Sequence, residues 1–296
     1  MPWRRSADLR GVAVALAALL VGAPAGAEEG ADAALPVASV AVRGSELVVR
    51  ADGRALARAD LIGAVLDLAV EGGGAASVRI DAILTDQGRS EGDVVLYDLS
   101  VAGDGGSDGG SDGGAWAPAC PPEPDGKPHA VLQPRPDGTV AILCTAGAQG
   151  KCIRLGYRPW AERDGVALAP YWDACVRMIR ADYCGDARPT TRDGILINIH
   201  DDLGIQRRDP EADLGFEAAW DDQGAICVAH PRVPQNVSLD VLAADCPRLA
   251  GHLGPGCTEA EARRLGTPLL FNDSRGDGVP EDARRPRPAT RGASPG

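Results

Sequence analysis

The sequence predicts an α+β fold that is mostly antiparallel β-sheet, with one principal amphipathic helix at about residues 170–184 and stabilisation by disulfide bonds. Short runs rich in Val and Ile are separated by Gly, Asp and Ser, which is the pattern of strands and turns. One long segment of helical periodicity follows them. The chain also contains 8 cysteines, all of them after residue 115. Disulfide bonds are therefore expected in the second half of the chain.

The first 27 residues have the features of a secretory signal. Arginines precede an apolar run over residues 11–21, and Ala25-Gly26-Ala27 supplies the small residues of a cleavage site. The run is short for a membrane span, and no cysteine follows it to carry a bacterial lipid anchor. We therefore expect an exported protein, periplasmic or extracellular, whose mature chain is soluble and has no transmembrane segment.

Four regions follow the signal. Residues 35–102 contain the strand-like segments VASVAVRG, ELVVRA, SVRIDAILTD and DVVLYDLSVA, whereas DLIGAVLDLAVEG fits either a strand or a short helix. Residues 103–115 are rich in Gly, Ser and Asp, which predicts a flexible linker, because the bulky apolar residues of calcium repeats are missing. Residues 116–272 form a cysteine-rich domain, and residues 273–296 are expected to be a disordered tail.

The principal helix is predicted from a single apolar stripe with the spacing i, i+3, i+4, i+7 and i+11: Trp172, Cys175, Val176, Ile179 and Tyr183. Pro170 suits the first turn, and Gly185 suits the left-handed residue that ends a helix. Seven aromatic residues lie between residues 157 and 220, so the main core is expected where this helix packs on strands. The candidate strands are TVAILCTA, GILINIHD and GAICVAH.

A resemblance to a known family is carried by several blocks in order. The block ADYCGD is preceded by KCIRLGYRPW and followed by TRDGILINIHDDLGIQ and FEAAWDDQGAICVAHPR. Together they resemble the ADYC domain family of exported bacterial proteins, from about residue 116 to about residue 272. The resemblance implies an exported bacterial protein. The family brings no assigned activity, so it transfers no catalytic residue to this chain.

An even number of cysteines behind an export signal indicates up to four disulfides. The candidates are Cys120, Cys144, Cys152, Cys175, Cys184, Cys227, Cys246 and Cys257. In a continuous helix, Cys175 and Cys184 would lie about 13 Å apart, beyond the roughly 7 Å that a disulfide spans between Cα atoms. The preferred pairs are Cys144 with Cys152, across a short turn, and Cys246 with Cys257.

Several polar side chains are candidates for chemistry. Cys184 with His200 could form a thiol–imidazole pair, although an oxidising compartment favours a disulfide at Cys184. The carboxylates of Asp182, Asp186, Asp193, Asp201 and Asp202, with His200, could bind a metal or act as general acid and base. Their spacing matches no known metal site, so turn or solvated roles are favoured. His230 precedes a proline, and a structural role is favoured there too. We expect no metal and no cofactor.

The net charge of −12 argues against nucleic-acid binding, which requires a basic surface. The favoured function is a secreted or periplasmic, disulfide-stabilised binding or structural module of the bacterial cell envelope. Its partner is unknown; an envelope or extracellular protein or a glycan fits this setting. The alternative is an envelope hydrolase or metal-assisted enzyme that uses Asp182, the other carboxylates up to Asp202, His200 and His230. That alternative requires these residues to converge in one concave site.

Overall fold

The computed structural model describes residues 13–20, 37–70, 75–86, 93–102, 115–123 and 126–281. The chain forms two compact units, which meet in sequence between Ala161 and Glu162. Antiparallel sheets and short helices make up both units, which confirms the predicted α+β class. Most of the predicted signal, residues 103–114 of the linker predicted at 103–115, and the end of the predicted tail lie outside the described residues.

The first unit is built from strands. Its described strands are β1 (Ala13–Leu20), β2 (Val37–Arg43), β3 (Glu46–Ala51), β4 (Arg54–Ala57), β5 (Val65–Val70), β6 (Ala75–Asp86), β7 (Val94–Ala102), β8 (Trp116–Pro118), β9 (His129–Pro134) and β10 (Val140–Cys144). A short 3-10 helix covers Arg58–Leu61, and helix α1 covers Ala148–Arg154. The ambiguous segment DLIGAVLDLAVEG thus contains the end of the 3-10 helix and all of β5.

The largest sheet of this unit closes on itself. Its strand order is β6-β5-β1-β10-β9-β7-β8, and β6 also pairs with β7. Strands β2, β3 and β4 form a second sheet. The unit therefore includes β8, β9 and β10, because they pair with β7 and β1. This division differs from the predicted domain boundary at residue 116, which followed the linker composition rather than the strand pairing.

The core of the first unit is mainly aliphatic. It consists of Leu47, Val49, Leu61, Leu66, Leu68, Val78, Ile80, Val95, Tyr97, Leu99, Cys120, Ala130 and Leu132. In strand β3, residues alternate between buried and less buried positions, as expected when one face of a strand covers a core. The sequence predicted the main core at the principal helix instead, because that prediction followed the aromatic residues, which are scarce in this unit.

The second unit contains strands β11 (Glu162–Arg163), β12 (Val166–Ala167), β13 (Asn198–His200), β14 (Gly215–Asp221), β15 (Gly224–Val228) and β16 (Leu270–Ser274). Its helices are α2 (Ala169–Arg180), α3 (Leu239–Asp245) and α4 (Glu259–Leu265), with 3-10 turns at Pro210–Ala212 and Pro247–Leu249. One antiparallel sheet has the order β13-β16-β14-β15, and β11 pairs with β12. None of the helices in the described ranges has the length and hydropathy needed to span a bilayer.

Helix α2 is the predicted principal helix, but it ends at Arg180 rather than near residue 184. Ala181 takes the left-handed conformation, with φ of 50°. The amide of Asp182 then donates to the carbonyl of Arg177 (2.9 Å), and that of Ala181 donates to Met178 (3.0 Å). This pair of bonds is a Schellman motif with alanine in the place usually held by glycine.

The buried face of α2 also differs from the predicted stripe. Its buried residues are Tyr171, Ala174, Cys175 and Met178. They have the same i, i+3, i+4, i+7 spacing, displaced by one residue toward the start of the helix. Trp172 and Ile179, placed in the predicted stripe, are only partly buried. The periodicity was sufficient to predict a helix. The predicted stripe was shifted by one residue because it was built on Trp172, which is not on the buried face.

Candidate functional site

The tetrapeptide Ala181-Asp182-Tyr183-Cys184 forms the turn that follows α2 and meets the β14–β15 hairpin. The carbonyl of Tyr183 accepts a hydrogen bond from the amide of Ala225 (2.9 Å). At Gly185, which has φ of 75°, a Cβ atom would lie 1.7 Å from the carbonyl oxygen of Gln223. Only glycine allows this approach of the two backbones. Gly185 therefore serves hairpin packing, and it does not end the helix as predicted.

Asp182 is buried, with 2 % of its surface exposed. Its carboxylate accepts hydrogen bonds from the amides of Asp186 (3.1 Å) and Ala187 (3.0 Å). The guanidinium of Arg177 also donates to it at 3.1 Å. Asp182 thus holds the turn after α2 in shape.

Tyr183 belongs to a buried polar network with Glu217 and Arg232. Its hydroxyl donates to Glu217 Oε1 (2.9 Å) and accepts from the amide of Arg232 (2.8 Å). Arg232 donates from Nε and Nη2 to the two oxygens of Glu217, each at 3.0 Å. Burial, followed by the charge of Glu217, raises the pKa of Tyr183 well above 10.0.

Arg232 also binds the end of α2. Its Nη2 donates to the carbonyl of Met178 (2.9 Å), and its Nη1 donates to that of Ile179 (3.2 Å). A cation at a helix C-terminus satisfies free carbonyls and is favoured by the helix dipole. Sequence reasoning missed both Glu217 and Arg232. They lie in the blocks FEAAWDDQG and AHPR, yet nothing in the sequence shows that these two charges are buried together.

The cysteines are disulfide-bonded, as predicted, but the two preferred pairs are wrong. The bonds are Cys120–Cys144, Cys184–Cys246 and Cys227–Cys257, with Cα atoms 5.3, 5.1 and 5.7 Å apart. Cys152 and Cys175 are disulfide-bonded as well, so no cysteine is free within the described residues. The predicted pairs used nearness in sequence. Strand pairing instead places Cys144 against the segment after β8, and α3 carries Cys246 to the turn after α2.

Cys184 therefore has no thiolate for the predicted Cys184–His200 pair. His200 has other partners: its Nε2 lies 3.2 Å from Glu259 Oε1, and its ring stacks on Phe271. Glu259 also accepts from Arg208 (3.0 Å), and Arg208 binds Asp273 through two nitrogens at 2.5 and 2.8 Å. Sequence reasoning missed these partners because α4 and β16 are far from His200 in sequence.

Asp273 is only 1 % exposed, and Ser274 is fully buried. Both belong to β16, and the described chain continues to Glu281. The predicted disordered tail therefore begins too early. The polar composition after Phe271 indicated disorder, but Arg208 neutralises Asp273 and allows it to be buried.

The other candidate residues have separate roles. Asp201 accepts from the amides of Ile205 and Gln206, while Asp202 pairs with Arg263 at 2.5 Å. Asp186 pairs with Arg188, and Asp193 lies in a turn. The ring of His230 lies between Gly215 and Gly276: a Cβ atom would lie 3.6 Å from Nε2 at Gly215 and 2.5 Å from Nδ1 at Gly276. His200 and Asp202 are connected through Arg263, which also approaches Glu259 at 4.0 Å. No described contact joins them to Asp182, and no group of metal-binding side chains was found in the described part of the chain.

A cleft of about 230 Å³ opens beside Cys184, and we call it the Cys184 cleft. It is lined by Tyr183, Cys184, Asp186, Arg188, Pro189, Thr190, Asn236, Val237, Val241, Leu242 and Asp245. Val237 and Leu242 are buried, whereas Val241 is 46 % exposed. Arg188 lies between Asp186 (2.5 Å) and Asp245 (3.5 Å). The cleft thus combines an apolar floor with charged groups of both signs.

Comparison with known proteins places these features in a family. The family model described as the ADYC domain matches residues 58–234. The match covers more than half of the chain and includes both the turn after α2 and the Glu217–Arg232 pair. No curated protein and no solved structure matched the chain in the same comparisons.

Proposed function

The chain belongs to the ADYC domain family, and we propose that it acts as a secreted or periplasmic binding module of the bacterial cell envelope. The observation that carries this proposal is the disulfide between Cys184 and Cys246. It converts the thiol of the signature into a crosslink. It also fixes the turn after α2 to the end of α3, which are the two walls of the Cys184 cleft.

Export is supported by two independent features. The first 27 residues have the charge, apolar run and small residues of a secretory signal. The disulfide bonds form and persist in oxidising compartments outside the cytosol. A protein that depends on several disulfides fits the periplasm or the extracellular space.

Binding is supported by the composition of the Cys184 cleft. Its volume is below the roughly 300–1,000 Å³ of pockets that enclose a drug-sized ligand. It is large enough for one side chain of a partner. The apolar floor at Val237 and Leu242 suits an aliphatic or aromatic side chain, and Arg188 with Asp245 can bond to the adjoining backbone or polar groups. The ligand class that fits is therefore a polypeptide that presents one apolar side chain.

Titration of the ¹⁵N-labelled exported protein with N-acetyl-leucine methylamide and N-acetyl-phenylalanine methylamide tests this function. Chemical-shift changes should concentrate at Val237, Val241 and Leu242, with affinity in about the millimolar range expected for so small a probe. Val241→Arg should abolish them. The matched control Val166→Arg, at a valine that is 38 % exposed outside the cleft, should leave them unchanged. Shift changes that are scattered, or that persist in Val241→Arg, would contradict the proposal.

The alternative of an envelope hydrolase is supported by one observation. His200 contacts Glu259 through Nε2, while its buried Nδ1 has no hydrogen-bond partner. An imidazole next to a carboxylate is a common general base. Turnover of chromogenic esters and glycosides by the intact protein, lost in His200→Gln, would support this alternative. The binding-module proposal predicts no difference between the two proteins.

A further inference from the structure

Strand β1 lies between β5 and β10 in the closed sheet. Its residues pair with six residues of β5, from Val14 with Val70 to Leu20 with Val65. Two further pairs, Ala13 with Ala141 and Val14 with Val140, join it to β10. Both pairings are antiparallel. Among the described strands, β1 is therefore the element that connects the β5 edge to the β10 edge.

These eight residues lie within the apolar run of the predicted secretory signal, which covers residues 11–21. Cleavage after Ala27, as the small residues there predict, would remove β1 from the mature protein. The backbone N–H and C=O groups of β5 and β10 that face β1 would then lose their partners. Unpaired strand edges of this kind readily accept another strand.

The interior beside this gap is apolar. A cavity of about 30 Å³ is lined by Val42, Leu47, Leu66, Leu68, Leu132, Val140 and Ile142. Leu66 and Leu68 belong to β5 and pair with Leu19 and Leu16 of β1. Val140 and Ile142 belong to β10. A strand in the gap is thus bordered by two backbone edges and covered on one face by aliphatic side chains.

We propose that, after removal of the leader, the gap between β5 and β10 accepts an extended strand from a partner polypeptide. The incoming strand runs antiparallel to both β5 and β10 and takes the positions of Ala13–Leu20. Its chemistry follows from the segment that it replaces: about eight small and aliphatic residues, without proline and without charge on the face toward Leu66 and Leu68. Backbone pairing supplies the affinity, and the aliphatic cavity selects the inward side chains.

This inference rests on the export proposed above, because only cleavage of the leader opens the gap. The test therefore uses the whole chain, expressed with its leader in a bacterium and purified from the periplasm or medium. Its intact mass shows whether residues 1–27 are absent. The probe is a synthetic peptide with the sequence of Ala13–Leu20 between lysine pairs for solubility. The matched control carries proline in place of Ala15, which removes one backbone donor and distorts the strand.

Hydrogen exchange of the protein and fluorescence anisotropy of the peptide are measured on the same samples. The peptide should bind and protect amides in Val65–Val70 and Val140–Cys144, and the proline control should bind about a hundredfold more weakly. Val140→Asp places a charge beside the gap and should weaken binding about tenfold. Ala117→Asp, at an exposed position of β8, adds the same charge elsewhere and should have no effect. Comparing the two peptides on the unaltered protein keeps the test valid if Val140→Asp fails to fold.

Three results would overturn the inference. If the leader is absent but β5 and β10 amides are already protected and the peptide does not bind, the sheet closes without an added strand. If the mature chain dimerises through these edges and the peptide does not compete, the occupant is a second copy. If the leader is retained on the exported protein, its cleavage does not occur, and β1 remains a permanent strand. The peptide result leaves the Cys184 cleft untested, so the two proposals fail separately.

Discussion

Two buried tyrosines show how differently the two units are stabilised. In the first unit, Tyr97 donates to the carbonyl of Ser45 (3.1 Å) and accepts from the amide of Leu47 (2.8 Å), both neutral backbone groups. In the second unit, Tyr183 contacts the charged pair Glu217 and Arg232. Each phenol has both a donor and an acceptor role. The first unit thus uses a phenol to fix strands around an aliphatic core, and the second uses one to complete a buried ion pair.

The difference extends to the rest of each unit. The first has a broad aliphatic core inside a closed sheet. The second contains a cluster that includes a disulfide, formed by Ala219, Cys227, Cys257, Ala262 and Phe271. A disulfide stabilises the unit that contains it, chiefly by restricting the unfolded chain. We therefore expect changes of buried charge to act mainly on the second unit, and the loss of a disulfide to act on the unit that contains it.

The largest effect is expected for Arg232→Met. It leaves the carboxylate of Glu217 buried without its ion partner and removes two bonds to the end of α2. Breaking a buried pair in this way costs about 3–5 kcal/mol of unfolding free energy. Urea unfolding followed by tryptophan fluorescence measures the loss. The control Arg263→Met breaks the pair with Asp202, whose carboxylate-bearing side chain is 60 % exposed, and should cost less than about 1 kcal/mol. Equal losses in both variants would show that the buried network contributes no more than a surface pair.

Removing a disulfide should also destabilise the two units to different extents. Cys184 and Cys246 are separated by 62 residues, and Cys120 and Cys144 by 24. The loss of loop-closure restraint predicts about 4 kcal/mol for the double serine variant at Cys184 and Cys246, and about 3 kcal/mol for that at Cys120 and Cys144. Hydrogen exchange under native conditions locates each loss. The comparison fails if removing Cys184–Cys246 raises exchange in β5 and β7 more than in β14 and β15.

A smaller effect is expected from alkaline pH. Burial raises the pKa of Tyr97 to about 12, from 10.0 for an exposed tyrosine. Between these values the unfolded chain releases the phenol proton and the folded chain keeps it. The unfolding free energy should therefore fall as pH rises from 10 to 12, by roughly 2–3 kcal/mol in total. Tyr97→Phe should remove the contribution of Tyr97 to this dependence of the unfolding free energy on pH, while the contribution of Tyr183 remains. An unchanged slope in Tyr97→Phe would show that Tyr97 titrates normally.

The sequence predicted what depends on local pattern. Strand-like alternation located seven of the sixteen described strands, and helical periodicity with Pro170 located the start of α2 within one residue. The end of α2 was missed because Ala181 adopts the left-handed conformation that glycine usually supplies. Gly185 misled the prediction because its requirement comes from Gln223, which is distant in sequence.

Features that depend on distant contacts were not predictable in this way. The disulfide pairs follow from the paths of β10 and α3, and short sequence separation was a poor guide to them. Glu217 and Arg232 looked like ordinary charges until the fold brought them against Tyr183. Asp273 looked like part of a disordered tail because its neutralisation by Arg208 involves a residue 65 positions earlier.

Intact mass spectrometry of the exported protein, after alkylation without reductant, tests most directly the claim that the ADYC signature is structural. The structure predicts that no alkyl group is added and that peptide mapping links Cys184 to Cys246. Alkylation of Cys184 in the folded, unreduced protein would contradict this claim. The signature would then hold a free thiol, and a nucleophilic role would have to replace the crosslink between the turn after α2 and the end of α3.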